Sequence, residues 1–241
     1  MSLAAQVSLE AQFKPLLGIE ENVAPYLIDD THPLKIKLDR LFGNKRVSAS
    51  SHSLEKAGFQ IIKKRLRDGL FVVKHPKLQH YVLKIYIDAK EGSFEWEVLK
   101  NRVEGALLTQ QAIDAHGWGA HFIVPKKWIY RIPDLDSPCK NKRKYLLVAE
   151  EIDIYRKFIN LGLWKSSKIP EELLQRLSVI MQEVGLSDSS YPNNVPFTLD
   201  GKVAFVDTEY HSIWPINHFT FIKYMHPEVS SNWHKINQAL E

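Results

Sequence analysis

The chain has 241 residues, 44% of them hydrophobic and 25% charged, and a formal net charge of +4. Those proportions exclude a disordered chain and suit a soluble globular protein with one good core or two small ones. The longest apolar runs, such as residues 145–149, stop far short of the roughly 20 residues that cross a bilayer, so no membrane span is expected.

Residues 1–50 predict helices near 9–15 and over 33–42. In the second, Leu34, Leu38 and Leu41 recur at helical spacing and Gly43 ends the run. The stretch 1–50 reads as an N-terminal helical extension in which no chemistry is visible. Residues 1–12 lack the cationic head of a signal peptide. With no targeting segment, and with one cysteine, Cys139, that can form no intrachain disulfide, a cytoplasmic location is expected.

From Phe59 the pattern changes to strands: residues 59–64, a turn at 67–69, residues 70–75, a break at Pro76, and residues 81–87. An antiparallel meander is the economical arrangement. Lys84 shares a face of the third strand with Val82 and Tyr86, where an ammonium must sit at an edge, reach water or find a partner. A helix follows, with Ser93 as N-cap, and runs to about Ala115 before His116-Gly117. Leu99, Val103, Ala106, Gln110 and Ile113 share one of its faces, and Glu97 and Glu104, seven apart, project similarly. Residues 122–125 and 128–133 read as a strand pair, 137–144 as a basic loop, and 145–149 as a buried strand ending in the acidic connector Glu150-Glu151-Ile152-Asp153. Between the first two strands, residues 63–69 carry four cations and one glycine, a set that either holds phosphates or solvates a hairpin tip.

The remainder begins as helix, over 154–163 and 170–184. In the second, Leu173, Leu177, Ile180, Met181 and Val184 make an apolar stripe, Pro170 suits the first turn and Gly185 the cap. A polar loop leads to a hairpin, with Asp200-Gly201 between the apolar arms 195–199 and 202–206. The reversal carries Asp207 back towards Asn193. Asn193 Oδ1 and the Asp207 carboxylate suit Mg²⁺, and Asp188, at the near end of the loop, is placed to accept a proton from an attacking hydroxyl. Asp39/Asn44 and Asp136/Asn141 share the spacing of Asp188/Asn193, but only the last pair precedes a hairpin with an acid at its end. The plain alternative is a solvated turn with an Asx cap. Tyr210, His211, Trp214 and His218 either line a small acceptor pocket or anchor a core. The other histidines show no paired ligand spacing, and no zinc site is assigned.

Asp188-x-x-x-x-Asn193, followed by an apolar strand ending in Asp207, is similar to the catalytic loop and metal-binding acid of the protein-kinase-like superfamily. Because Asp207-Thr208-Glu209 stands where protein kinases have Asp-Phe-Gly, the closer likeness is to the aminoglycoside and choline kinase branch. The resemblance implies an α+β, two-lobed protein-kinase-like fold: an antiparallel five-stranded small lobe over 51–150 and a reduced helical large lobe, with the catalytic loop, over 151–241. It implies ATP and Mg as cofactors, with Lys84 on the nucleotide phosphates and Glu104 positioning Lys84. The backbone of Glu150 to Ile152 would meet the adenine, with Val148 near the back of the pocket. Asp188 would be the catalytic acid that orients a hydroxyl, Asn193 and Asp207 would hold the metal, and Glu209 would assist. The implied function is an ATP- and Mg-dependent phosphotransferase acting on a hydroxyl acceptor, small molecule or protein. Leu186, where the family has a histidine, and the short stretch after Asp207 support an alternative, a pseudokinase that binds nucleotide or a partner without turnover. The basic clusters 63–67 and 140–144 are too short to make nucleic acid the expected partner.

Overall fold

The alternating stretches after Phe59 become β1 (Gln60–Arg65), β2 (Leu70–Lys74) and β3 (Tyr81–Tyr86) in the computed structural model, which describes residues 18–88, 95–137, 139 and 141–239. Further along come β4 (Phe122–Ile123), β5 (Lys127–Arg131) and β6 (Tyr145–Glu150). Five of these form one antiparallel sheet in the order β1-β2-β3-β6-β5. The chain is α+β and two-lobed, with this sheet in one half and a core of packed helices in the other. The helix expected near 9–15 and the Ser93 cap lie outside the described residues.

One expectation fails. Residues 122–125 and 128–133 do not pair with each other: β4 leaves the sheet and pairs in parallel with β7 (Val203–Ala204), while β5 pairs with β6. Pro125 stands between them and removes a backbone donor, and the apolar β4 instead supports the hairpin, with Val203 N–H donating to His121 O and Phe205 N–H to Ile123 O, both at 2.9 Å.

Each face of the sheet has its own core. Leu83 and Ile85 of β3 face helices α2 (Pro33–Phe42) and α3 (Ser51–Lys56), whose Leu34, Leu38, Phe42 and Leu54 are buried against them; the short α1 (Ile19–Val23) contributes Val23 to the opposite face. The opposite face of β3 carries Lys84 and Tyr86, because successive side chains alternate across a strand. It is covered by α4 (Glu95–Ala115), where Leu99 and Val103 pack on Leu70, Tyr86 and Leu147. The second half of α4 belongs elsewhere. Ala106, Ala112 and Ile113 join the helical core with α5 (Lys157–Trp164), α6 (Glu171–Val184), α7 (Phe219–Ile222) and α8 (Pro227–Gln238). Trp164 and Trp233 anchor that core, and each buried indole N–H finds a carbonyl, Val195 O at 3.2 Å and His218 O at 3.1 Å. In α6 the stripe includes the buried Leu174 as well as the half-buried Leu173, and the helix ends at Gly185, which is left-handed. No helix among the described residues is long and apolar enough to cross a membrane.

The β2–β3 connection generates a test. The His75 ring packs at a tilt against Phe59, centroids 4.8 Å apart, its Nδ1 accepts from Lys77 N–H at 3.0 Å, and its Nε2 lies 3.2 Å from Ala57 O. The neutral ring satisfies both contacts, and burial, helped by Lys77, holds its pKa below the ordinary 6.5. The unfolded chain therefore binds a proton more readily than the folded one, so this contribution to stability is present above 6.5 and is lost as pH falls through it. Urea unfolding at about pH 7.5 and about pH 5.5 should show the loss, and His75→Gln should flatten that pH dependence.

Candidate functional site

The hairpin forms as its residues require. Gly201, at φ +87°, donates to Thr198 O at 3.1 Å and turns the chain. The rungs Ala204 N–H to Pro196 O (2.8 Å) and Val206 N–H to Asn194 O (3.0 Å) then fix the register. Continued by one residue, that register sets Asp207 across from Asn193. The loop before it is held mainly by packing. Leu186 is fully buried in the helical core and donates to Met181 O at 2.9 Å, and Ser187 N–H donates to Tyr210 O at 3.1 Å. Asp188 follows in a 3₁₀ turn, Ser187–Ser190.

Lys84 is neither at an edge nor solvated. It lies on the central strand, between Val72 and Leu147 of its neighbours, and its Nζ is 3.5 Å from Asp207 Oδ1. Two further cations converge on the same acid. Arg102 of α4, only 2% exposed, spreads its guanidinium fork over two carboxylates, Nη1 donating to Asp207 and Nη2 to Glu209. Lys127, buried at the start of β5, donates to Thr208 Oγ1 at 2.8 Å, and that hydroxyl in turn donates to Arg102 O at 2.9 Å. Asp188 completes the group: its Oδ1 is buried without a hydrogen-bond partner among the described residues.

Six charged groups in one place disturb one another. Burial, then the negative charge of Asp207, pushes the Asp188 carboxyl up to about 7, with Arg102 opposing. Burial and the repulsion of Arg102 push Lys84 down to about 8, while burial and Lys84 push Lys127 down to about 7. Burial alone would raise Asp207, but Lys84, Arg102 and Lys127 outweigh it and hold the acid below the ordinary carboxylate value.

The structure thus brings together Lys84, Asp188, Asp207 and Glu209, and it separates the other expected site residues. Glu104 does not reach Lys84: its carboxylate lies 3.7 Å from Lys100 Nζ and 3.9 Å from His211 Nε2. Two positions along a helix is a rotation of roughly 200°, so Glu104 points away from the face that carries Arg102. Glu97 is exposed. Val148 packs with Leu83 on the far face of the sheet, because its neighbour Leu147 is the residue beside Lys84. In the connector, the backbone N–H of Glu150 already donates to Lys126 O (2.9 Å) and that of Glu151 to His80 O (2.7 Å), which leaves only Ile152 outside these bonds. Asn193 is exposed; it is Asn194 whose Nδ2 donates to the Asp188 carbonyl at 2.8 Å. An apolar cavity of about 420 Å³ beside Val103, Ala106 and Trp128 includes Lys127 and Glu150 in its lining but neither Lys84 nor Asp207.

Sequence reasoning missed Arg102, Lys127 and Asn194. For Arg102 a signal existed, a cation on the small-residue face Arg102-Gly105-Thr109-Ala112 of an otherwise buried helix. Asn193 and Asn194 are adjacent and chemically identical, so spacing had no means of choosing between them.

The donors as arranged do not fit a divalent ion. Asp207 Oδ1 is shared by Arg102 and Lys84, Glu209 is bound by the same guanidinium, and three cations already face three carboxylates. Freeing Asp207 means breaking a largely buried pair from one side, which costs about 3–5 kcal/mol.

No family model matches the chain, and no curated protein matches it. Among solved structures, it is similar to that of the Rv3197–erythromycin complex from Mycobacterium tuberculosis, at 11% identity and a TM-score of 0.33, over 89% of this chain and 61% of that one. The chain thus spans less than two thirds of that protein, and a likeness this faint carries no argument about activity.

The site depends on a close approach. A Cβ added at Gly105 would fall inside the van der Waals shell of Thr208 O and come within 3.0 Å of His211 Cδ2. Helix propensity alone would make Gly105→Ala more stable by about 1 kcal/mol. Overpacking against a backbone carbonyl costs about 1–3 kcal/mol. The variant should therefore be less stable in urea unfolding, and a gain in stability would mean that α4 and residues 207–209 are not in contact.

Proposed function

We propose that this chain is a kinase-like protein whose cleft binds ATP and transfers its terminal phosphoryl group to a hydroxyl acceptor. The observation that supports it most is the meeting of Lys84, on the middle strand of the antiparallel sheet, with Asp207, at the end of the hairpin, 3.5 Å apart and beside Asp188. In this reading Lys84 and Lys127 take the nucleotide phosphates, since ammonium groups in a partly dry site attract a polyanion far more strongly than in water. Asp188 accepts the proton of the attacking hydroxyl. A carboxyl with a pKa of about 7 and an unpartnered oxygen suits that task, because a general base works best when its pKa lies near the working pH. Asn194 steadies Asp188 through its carbonyl, and Ile152 remains for the base. Neither a kinase-type adenine contact from Glu150 nor a helix acid on Lys84 forms part of the reading.

The second reading is a pseudokinase, a nucleotide-binding module without turnover. It is favoured by Arg102, which ties Asp207 and Glu209 to α4 in a pair that phosphoryl transfer would have to accommodate.

Calorimetric titration with ATP, followed by release of labelled phosphate to water, tests both. Lys84→Ala should weaken ATP binding about tenfold or more, and Asp188→Asn should leave binding unchanged while cutting phosphate release about 10²–10⁴-fold. Binding with no phosphate release in the wild-type chain selects the second reading. Absence of ATP binding overturns both.

A further inference from the structure

We propose that Arg102 stands in for the divalent cation, so that the cleft takes the polyphosphate of ATP without a metal ion. The inference rests on the nucleotide-binding reading above and concerns how that site neutralises its ligand.

A kinase-type metal has two tasks: it holds an acid of the protein, and it offers positive charge to the phosphates. Arg102 already performs the first. Its two terminal nitrogens are bonded to Asp207 and Glu209, the two acids of the Asp207-Thr208-Glu209 segment, and its carbonyl receives the Thr208 hydroxyl between them at 2.9 Å. The guanidinium is therefore pinned by two acids and its own backbone by the residue between them, and a guanidinium cannot be neutralised by losing a proton. For the second task it has capacity left. Two of its five N–H groups hold the carboxylates, and its Nε is buried with no hydrogen-bond partner among the described residues.

The surroundings point the same way. Lys84 lies 3.5 Å from Asp207, and Lys127 is held at Thr208. A dication approaching Asp207 would meet the guanidinium and two neighbouring amines, and would have to displace the Arg102 fork. A polyphosphate approaching the same place would meet those charges as attraction. Charge complementarity thus selects the free nucleotide anion over its metal complex.

The test compares ATP binding to the full chain in EDTA and in magnesium chloride by calorimetry. Expected are dissociation constants equal within about threefold in the two buffers. A wild-type affinity that falls about tenfold or more in EDTA overturns the inference while leaving the nucleotide reading standing. Failure to bind ATP in either buffer removes the nucleotide reading and this inference with it. In Arg102→Ala, binding in EDTA should drop about tenfold or more and magnesium should restore part of it, because Asp207 is released to a metal; Arg102→Lys, which can carry a charge but cannot span both acids, should bind ATP in EDTA more weakly than the wild type and more tightly than Arg102→Ala. Arg102→Ala that binds ATP in EDTA as tightly as the wild type overturns the proposal. Manganese(II) paramagnetic resonance gives a second readout: with ATP present, the wild-type chain should bind no protein-held ion, and Arg102→Ala, or Arg102→Gln if the alanine variant does not fold, should bind one.

Discussion

The fork of Arg102 across Asp207 and Glu209 is the constraint on which the arrangement of this protein depends. Among the described residues, helix α4 is the element that contributes to both the sheet core and the helical core, through Leu99 and Val103 at one end and Ala106, Ala112 and Ile113 at the other. Arg102 stands beside Val103 and about one turn before Ala106, where the halves of the chain meet. Through it the residues that follow the hairpin are fastened to the helix that covers Lys84, and the distance between Lys84 and Asp207 follows from that fastening rather than from either lobe alone.

The charges at this junction are stable only as a group. Burial pushes Lys84, Lys127 and Asp188 towards their neutral forms, and neighbours of opposite sign partly return them, while Asp207 stays below the ordinary value despite its burial. Asp207 is the acid held most firmly in its charged form, by the three cations around it. Asp188 is the exception in the other direction: lacking a hydrogen bond on Oδ1 and facing Asp207, it is the acid least committed to being charged.

Packing supplies what charge does not. The absence of a side chain at Gly105 lets α4 approach the Thr208 carbonyl, and only then can Thr208 bridge Arg102 and Lys127. Leu186 is an apolar anchor: it is fully buried among α6 and its neighbours, and the loop that carries Asp188 is held by that burial together with the Ser187–Tyr210 backbone bond. The 3₁₀ turn after it buries Ser189 and Ser190, so the turn is an internal wall of the helical half, not a solvated loop with an Asx cap.

The sequence by itself determined the elements whose causes are local. Short strand-type runs bounded by turn residues marked β1 to β3, a continuous apolar run marked β6, the capping residues of α2 and α6 marked their ends, and Asp200-Gly201 marked the hairpin that returns Asp207 towards the loop. Lys84, Asp188 and Asp207 were legible for the same reason, each being an ionisable group on an otherwise apolar strand or beside a strong turn. Tertiary structure alone decided the partners. Whether Lys84 met Glu104 or Asp207 depended on the rotation of α4 about its axis, which Gly105 and the two cores set through contacts more than a hundred residues apart in the chain. Likewise the choice of Asn194 over Asn193, the turning of Val148 away from the cleft and the departure of β4 to pair with β7 were settled by register and by competition for backbone donors. Those are properties of surfaces brought together by folding, and a hydrophobic pattern read along one segment carries no record of which surface it will face.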